Sequence, residues 1–571
     1  MSPLVLRLAL LSGLVAAGLS ATSIIAWKFG FDPALGEPLA WRFYRPWAAV
    51  GWWEAWGHAE PYRRPFLSGL SLVAFVLILP MMAVRLLQMY GPLHLKQNRE
   101  AGLGQPGDLH KSGHIKTRGP GVVLGRAKAW WGGWRIYRSR TDSHALVLGM
   151  AGSGKTTTAG ITTALLEPGS MLIIDPSGSI AAATARHRRT LGPFHLFDPT
   201  KRDTARCNPV LEIREGDAAI GDCQMYAAML VNSPKGQGPK DPFWEQSAGY
   251  LVSGLLHQVR HSDDPSLGHM WRLLQEIDAG KYPKRGLTSF ANAVIRGVEK
   301  REPRVRDSMV TTAVTNLQFL ADPIIQHAVS GADFRAGDLQ AADTPVTIAV
   351  SIPEDQADRL RPLTRVMLQA MIKPLMSSVH HVGDGRRKRR GALIEIDDFP
   401  ALHFMEVIEL GLADARKYRL RFLLLAQGIE QIEKHYGEKQ AITGNCGTWA
   451  IVPGLSERTM NAAVKVAGKH AIAQASKQHG LSLRGNSSMS ESEAMREVLN
   501  SREMLMRAKD ELLIFTAGCY PTWLRKIRCW EDPAFRDLID TSKPDDAPAQ
   551  LPVTTATITK EMPPWLLTHH S

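Results

Sequence analysis

Ala145-Leu146-Val147-Leu148 runs directly into Gly149-Met150-Ala151-Gly152-Ser153-Gly154-Lys155-Thr156, and this junction decides the fold. The first four residues read as a short buried strand, and the chain from Lys155 reads as a helix. The loop between them fits G-x-x-x-x-G-K-[ST] at every fixed position. Glycines there let backbone N–H groups turn inward around phosphate oxygens, where a Cβ would obstruct them. Lys155 supplies a flexible point charge for the β- and γ-phosphates, and the Thr156 hydroxyl can ligate Mg²⁺. The start of the helix adds its positive end. The motif therefore names Gly149, Gly152, Ser153, Gly154, Lys155, Thr156 and Thr157 as the candidate nucleotide-binding set, with ATP and Mg²⁺ as the cofactors.

Working outward, a second buried strand follows at Met171-Leu172-Ile173-Ile174-Asp175. Short apolar strands alternating with helices indicate an α/β fold with a parallel sheet covered on both faces. Between 212 and 340 strand-like runs stop, and helical patterns such as 243–259 and 308–320 take over. That stretch reads as an all-α domain inserted into the nucleotide-binding domain, which is then built from 91–211 and 341–540. Strands resume at 345–352, 392–396, 422–425, 448–452 and 511–515. Residues 91–121 read as a linker entering a first hairpin around Gly119-Pro120-Gly121. The polar, Ser-rich stretch 474–493 reads as a mobile loop, and the Pro/Thr/Ala-rich stretch 541–571 as a disordered tail. No internal repeat is visible.

A phosphate loop needs an acid at the end of a neighbouring strand. Ala392-Leu-Ile-Glu-Ile-Asp397-Asp398-Phe399-Pro400 supplies one. Asp397 would hold Mg²⁺ through water, and Asp398 would polarise the attacking water. Asp398 is one methylene shorter than the Glu common at such a position, so it places water less well. Glu395 lies two residues before Asp397, on the same face of the strand. A buried carboxylate is costly unless paired, so Glu395 either pairs with a base or assists at the site. A further strand, Phe422-Leu-Leu-Leu-Ala-Gln427, ends in a glutamine able to sense the γ-phosphate or orient water. Eleven residues earlier lies Arg416, in an expected helix with Lys417 and Arg419, placed to reach the γ-phosphate of a neighbouring subunit.

The chain has 571 residues, 44% of them apolar and 22% charged, which excludes a disordered or collagen-like chain and suggests two to four structural units. Lys plus Arg number 68 and Asp plus Glu 55, so 68 − 55 gives +13, a balance that favours nucleic acid or an anionic membrane surface. Five widely spaced cysteines form neither a disulfide framework nor a zinc motif, which fits a reducing compartment. Residues 8–27 and 66–84 carry no charge. Each is about as long as the roughly 20 helical residues that cross a hydrocarbon core, so both read as transmembrane helices, making residues 1–90 a membrane anchor. A cleaved signal peptide would have a shorter apolar run and no second span. Eleven Lys and Arg in 85–140 oppose only Glu100 and Asp108, which puts the bulk of the chain in the cytoplasm and the short 28–65 loop outside. That loop holds Trp41, Trp47, Trp52, Trp53 and Trp56, suited to a membrane interface or to docking another membrane protein.

In this order the motifs resemble those of the conjugative coupling ATPases of type IV secretion systems, the TraG/TraD type, over nearly the whole chain. Ile174-Asp175-Pro176-Ser177-Gly178 is similar to that family's D-P-K-G-E segment. Phe197-Asp198-Pro199 with Cys207-Asn208-Pro209, then Asp241-Pro242-Phe243-Trp244-Glu245, then Ile396-Asp397-Asp398-Phe399-Pro400-Ala401-Leu402, Ala426-Gln427 and Gly444-Asn445-Cys446 continue the series. The resemblance implies a RecA-like P-loop NTPase domain with an inserted all-α domain, in a homo-hexameric ring with ATP between subunits. It implies a bacterial inner-membrane protein that passes relaxase-bound DNA, or a protein substrate, to the inner-membrane proteins of the secretion channel, with relaxosome proteins as further partners. By position, Lys155 and Thr156 bind nucleotide and Mg²⁺, Asp397 and Asp398 are the acid pair, Gln427 is the sensor and Arg416 the trans arginine. Ser177 and Ser179 stand where the family has Lys and Glu, and Asp398 where it usually has Glu.

Evidence for DNA in the residues themselves is thinner. The run Arg386-Arg387-Lys388-Arg389-Arg390 would touch phosphates without reading bases, or hold anionic lipid. A chromosome-partitioning type of DNA translocase would share the spans and motor, but not the helical insertion at 212–340. A non-hydrolysing nucleotide-binding receptor is the other alternative, kept open by Asp398.

Overall fold

In the computed structural model the described residues are 18–39, 41–60, 63–64, 66–67, 102–111, 113, 115–128, 133–140, 143–233, 242–376, 390–477 and 489–540. The strands in chain order are β1 (Ile115–Lys116), β2 (Val123–Lys128), β3 (Trp134–Ser139), β4 (Ala145–Leu148), β5 (Ser170–Ile174), β6 (Phe194–Phe197) and β7 (Thr347–Val350). They continue with β8 (Ala392–Ile396), β9 (Leu420–Ala426), β10 (Thr448–Ile451), β11 (Lys469–Lys477), β12 (Met489–Glu497), β13 (Glu511–Thr516) and β14 (Thr522–Arg525). The chain divides into two compact units, one of residues 1–99 with 472–493, the other of 100–471 with 494–571.

The larger unit is organised by a 12-stranded sheet in the order β1-β3-β2-β14-β13-β10-β4-β9-β8-β5-β7-β6. From β10 to β6 all neighbours are parallel. From β10 outward to β1 they are antiparallel. Strands β4, β5, β7, β8 and β9 are buried at every residue, as expected where both sheet faces are covered. Their period of two sorts side chains between two cores. Leu146, Leu148, Leu172, Ile174, Ile394 and Leu424 face one, whereas Ala145, Val147, Met171, Ile173, Leu393 and Leu423 face the other.

Between β6 and β7 the regular elements among the described residues are helical, including Ala219–Val231, Phe243–Arg260, Leu267–Asp278, Ser289–Glu299 and Pro303–Leu317. Their buried residues, such as Leu251, Leu255, Leu274 and Leu317, join the same continuous core as Leu146 and Leu172 on one face of the sheet. Local signals set their starts. Ser266 and Thr288 accept hydrogen bonds from the N–H groups of His269 and Ala291, and Glu302 caps a helix that has Pro303 in its first turn.

Behind the parallel strands, a buried polar knot ties helices to strands. The Arg188 guanidinium donates to the Thr347 hydroxyl at 2.8 Å, to the Gly169 carbonyl at 2.6 Å and to the Glu167 carbonyl. Glu167 in turn pairs with Arg421 at 3.0 Å, both almost fully buried.

Two expectations are corrected here. Gly119-Pro120-Gly121 is no hairpin turn: it carries the chain from β1 to β2, which flank β3 on opposite sides. The chain crosses the end of β3 so closely that a Cβ on Gly121 would sit 2.2 Å from the Ser139 carbonyl oxygen. The stretch 474–493 is no loop throughout, because β11 and β12 enter it from both sides and form a two-stranded sheet of their own. Alternation in Lys469-His-Ala-Ile-Ala-Gln-Ala-Ser-Lys477 has the strand period, but its small and polar residues hide it.

In the smaller unit residues 18–28 are helical, followed by a 3₁₀ turn at Pro33–Leu35 and a helix at Ala48–Trp56. Ile25, Leu35, Tyr44, Trp52 and Phe66 form a small core, and the Trp52 indole donates to the Leu35 carbonyl at 3.0 Å. Trp41 and Trp47 are exposed. Among the described residues no helix is long and apolar enough to cross a membrane. Half of the span expected at 8–27 and nearly all of that expected at 66–84 lie outside the described residues, as do most of the 386–390 run and all of 541–571.

Candidate nucleotide site

The loop 149–154 leaves the C-terminal end of β4, and the carboxyl ends of parallel strands are where open α/β sheets place their ligands. Gly149 N–H donates to the Ala426 carbonyl at 3.0 Å, which ties the loop to the end of β9. Gly152 and Gly154 have φ of 71° and 84°, left-handed values that a side chain would strain. A Cβ on Gly149 would meet the Ser153 hydroxyl at 2.5 Å. Thr157 donates its hydroxyl to the Gly154 carbonyl at 3.0 Å. The helix that follows opens with a π turn over Thr156–Gly160 before becoming α over Ile161–Leu166. Single π turns recur at functional sites.

Opposite the loop, Asp397 and Asp398 follow β8, and Gln427 follows β9, the strand between β8 and β4. The Thr156 hydroxyl donates to Asp397 Oδ2 at 2.8 Å. Asp397 Oδ1 accepts the Asp398 N–H at 3.0 Å. Asp398 Oδ2 accepts from Gln427 Nε2 at 3.3 Å, while its Oδ1 is buried without a hydrogen-bond partner among the described residues. Asp398 has φ 46° and ψ 45°, a left-handed conformation that costs a non-glycine residue about 1–3 kcal/mol and recurs at active sites and switches. Lys155 is buried as well.

Burial raises the Asp397 carboxyl above its ordinary pKa; the Thr156 hydroxyl and Lys155 oppose this and Asp175 adds to it. A divalent cation would favour the ionised form. No cluster of three or more His, Cys, Asp or Glu able to hold a metal occurs among the described residues. Mg²⁺ takes one or two protein oxygens and completes its shell with water and substrate phosphates. Thr156 and Asp397 fit the role.

The structure thus brings Lys155, Thr156, Asp397, Asp398 and Gln427 to one end of the sheet. It does not bring Arg416 there. Arg416 is exposed in the turn Ala415–Tyr418, just before the N-terminal start of β9, and so at the opposite end of the sheet from its own loop.

Among the described residues Glu395 makes no ion pair with a base. It is fully buried on β8, and neither oxygen has a hydrogen-bond partner. Burial, with Asp397 and Asp175 adding and Arg188 opposing, holds it well above the carboxylate range and favours the neutral acid. It lies against the π turn, where a Cβ on Gly160 would come 2.7 Å from Glu395 Oε1.

Two further residues border the site without a role having been read for them in the sequence. Asp175, at the end of β5, accepts from Ser177 N–H at 3.0 Å, the Ser177 hydroxyl at 2.7 Å and Ile180 N–H at 2.6 Å, and so anchors the helix Ser179–Leu191. Its signal was visible, since it closes an apolar strand just as Asp397 does. Lys526 reaches the Ser153 carbonyl from 373 residues away along the chain, and no local pattern announces it.

Comparison with known proteins gives the family and the fold. Residues 105–554 match the family model described as type IV secretory system conjugative DNA transfer. The conjugal transfer protein TraG of Escherichia coli is 25% identical, over 92% of each chain. The VirD4 protein of Agrobacterium fabrum is 24% identical, over 92% of this chain and 78% of its own. Among solved structures, the plasmid coupling protein TrwB in complex with ADP and Mg²⁺ superposes with a TM-score of 0.55 at 18% identity, covering 78% of this chain and 98% of its own. At that identity the likeness speaks for the fold.

Proposed function

The chain belongs to the type IV secretory system conjugative DNA transfer family, and from that premise we propose that it is an ATP-hydrolysing coupling protein. In this reading it binds ATP and Mg²⁺ at the loop 149–156 and passes relaxase-bound DNA, or a protein substrate, to the secretion channel. The supporting observation is the 2.8 Å hydrogen bond between Thr156 and Asp397, which joins the phosphate loop to the acid strand.

Lys155 and the loop N–H groups would hold the β- and γ-phosphates. Thr156 and Asp397 would hold Mg²⁺, which when bound neutralises charge between the β- and γ-phosphates. Asp398 Oδ1, buried without a hydrogen-bond partner among the described residues, is the group available to accept a hydrogen bond from an attacking water. Gln427, already bonded to Asp398, would orient that water. Arg416 faces away from its own loop, so its γ-phosphate contact would be made in trans in a homo-hexamer. We read 212–340 as an inserted all-α domain on a RecA-like body, and 8–27 and 66–84 as two spans anchoring the chain in the inner membrane, the bulk of it cytoplasmic. Relaxosome and channel inner-membrane proteins are then the partners.

ATP turnover by the purified full chain, with and without single- and double-stranded DNA at two salt concentrations, tests this. Turnover stimulated by DNA, weakened by salt and abolished by Lys155→Ala is expected. An assembled oligomer that binds ATP and never turns it over refutes hydrolysis. One observation favours that second reading, a nucleotide-binding receptor: Asp398 is short, left-handed and tied to Gln427. Turnover gained only on Asp398→Glu would establish it.

A further inference from the structure

After β14 the chain is laid along the phosphate loop. The Lys526 backbone N–H donates to the Asp510 carbonyl at 2.7 Å, which fixes where its side chain starts. Its ammonium donates to the Ser153 carbonyl at 2.7 Å. One residue on, the Ile527 carbonyl accepts the hydroxyl of Thr158, in the π turn, at 3.2 Å. The Asp510 carboxylate goes to Arg525 at 3.9 Å. Burial lowers the Lys526 pKa, Asp510 opposes this and Arg528 adds to it. Lys526 is half-buried, and partly desolvating its ammonium costs free energy that the carbonyl contact offsets.

The consequence lies in the peptide that Lys526 holds. The Ser153 carbonyl and the Gly154 N–H belong to one planar trans unit and point in opposite directions. Holding the carbonyl therefore fixes the Gly154 N–H in the opposite direction, away from Lys526. Gly154, at φ 84°, has no Cβ to restrict one of the two torsions on which this peptide turns. We propose that Lys526 is a positioning residue of the phosphate loop, holding the Ser153–Gly154 peptide with its N–H turned toward the phosphates. The proposal rests on the nucleotide-binding reading of the loop.

The test uses the full chain in detergent and a fluorescent ADP analogue with Mg²⁺. Lys526→Met is expected to bind about tenfold more weakly, a difference of roughly 1.4 kcal/mol, because the Ser153–Gly154 peptide is no longer held. Lys526→Arg, which keeps a charged donor, should recover most of that loss. In turnover, KM for ATP should rise with kcat kept, and the thermal unfolding midpoint should stay at the wild-type value. Thr158→Val, which releases only the Ile527 anchor, should fall between wild type and Lys526→Met. Wild-type binding that needs Lys155 but is unchanged in Lys526→Met overturns the Lys526 proposal alone. So does a loss that Lys526→Arg fails to recover and that tracks a lowered unfolding midpoint. A wild-type chain that binds no nucleotide overturns the site reading and this proposal with it.

Discussion

Replacing Thr156 with valine isolates the chemistry that distinguishes a metal-nucleotide site from a bare phosphate cradle. Valine keeps the shape of threonine and removes its hydroxyl. The hydroxyl donates to Asp397 Oδ2 at 2.8 Å, and Asp397 is only 8% exposed, so little water replaces it. A hydrogen bond to a charged group is worth about 1.5–3 kcal/mol net, a factor of roughly 10 to 150. The same oxygen is the loop's proposed ligand to Mg²⁺. Phosphates, by contrast, would be held by loop N–H groups and Lys155, which valine leaves in place. Titration of a fluorescent ADP analogue should therefore give two different answers. In EDTA, Thr156→Val should bind within about twofold of wild type. With millimolar Mg²⁺, the gain that wild type shows should shrink by at least about tenfold. Thr156→Ser should restore it. A valine variant that keeps the full Mg²⁺ gain refutes the reasoning, and equal weakening with and without Mg²⁺ would show that the hydroxyl shapes the loop.

Two further outcomes follow from geometry elsewhere in the chain. Arg416 lies across the sheet from its own loop, so Arg416→Ala should bind nucleotide normally yet lose turnover. Oligomers mixed equally from Arg416→Ala and Lys155→Ala chains should regain activity at about a quarter of their interfaces, because the two intact groups then meet across subunits; mixtures that stay inert would remove Arg416 from the trans role. His144 is buried, accepts the Phe422 N–H at 3.0 Å, and has its pKa lowered to about 4 by burial, with Arg416 adding to this. Its neutral form is favoured in the fold, so its contribution is complete above the unfolded pKa of 6.5 and is lost as pH falls from 6.5 toward 4. That amounts to about 3 kcal/mol at most. His144→Gln should flatten the acid limb of the stability profile measured by denaturant unfolding, and an unchanged limb would assign the acid sensitivity to other groups.

What could be read in advance was whatever the chain encodes locally. The phosphate loop, the strand ending in Asp397 and the strand ending in Gln427 are contiguous patterns, and β8 begins and ends where its apolar run does. What could not be read depends on distant segments meeting. The hold of Lys526 on Ser153 spans most of the chain. Glu395 looked like half of an ion pair because its neighbours in space, Gly160 among them, are invisible in its own strand. The crossing at Gly119-Pro120-Gly121 looked like a hairpin because turn residues announce a reversal without saying which strands it joins.

The core shared by the sheet and the 209–341 helices bears on how this chain could acquire a new cargo. Modules that meet at a polar seam can be exchanged whole by recombination. Here Leu251, Leu255 and Leu317 belong to one apolar body with Leu146, Leu172 and Leu424. A transplant cut at the ends of the helical stretch would leave a foreign surface against the underside of those strands, with gaps or collisions costing about 1–3 kcal/mol at each misfit. Chimeras that respect the fold must carry that sheet face along with the helices. Inheritance should obey the same rule: drift in the packing face of the helices drags the strand residues beneath them, and the β4 run leading into the phosphate loop is among them.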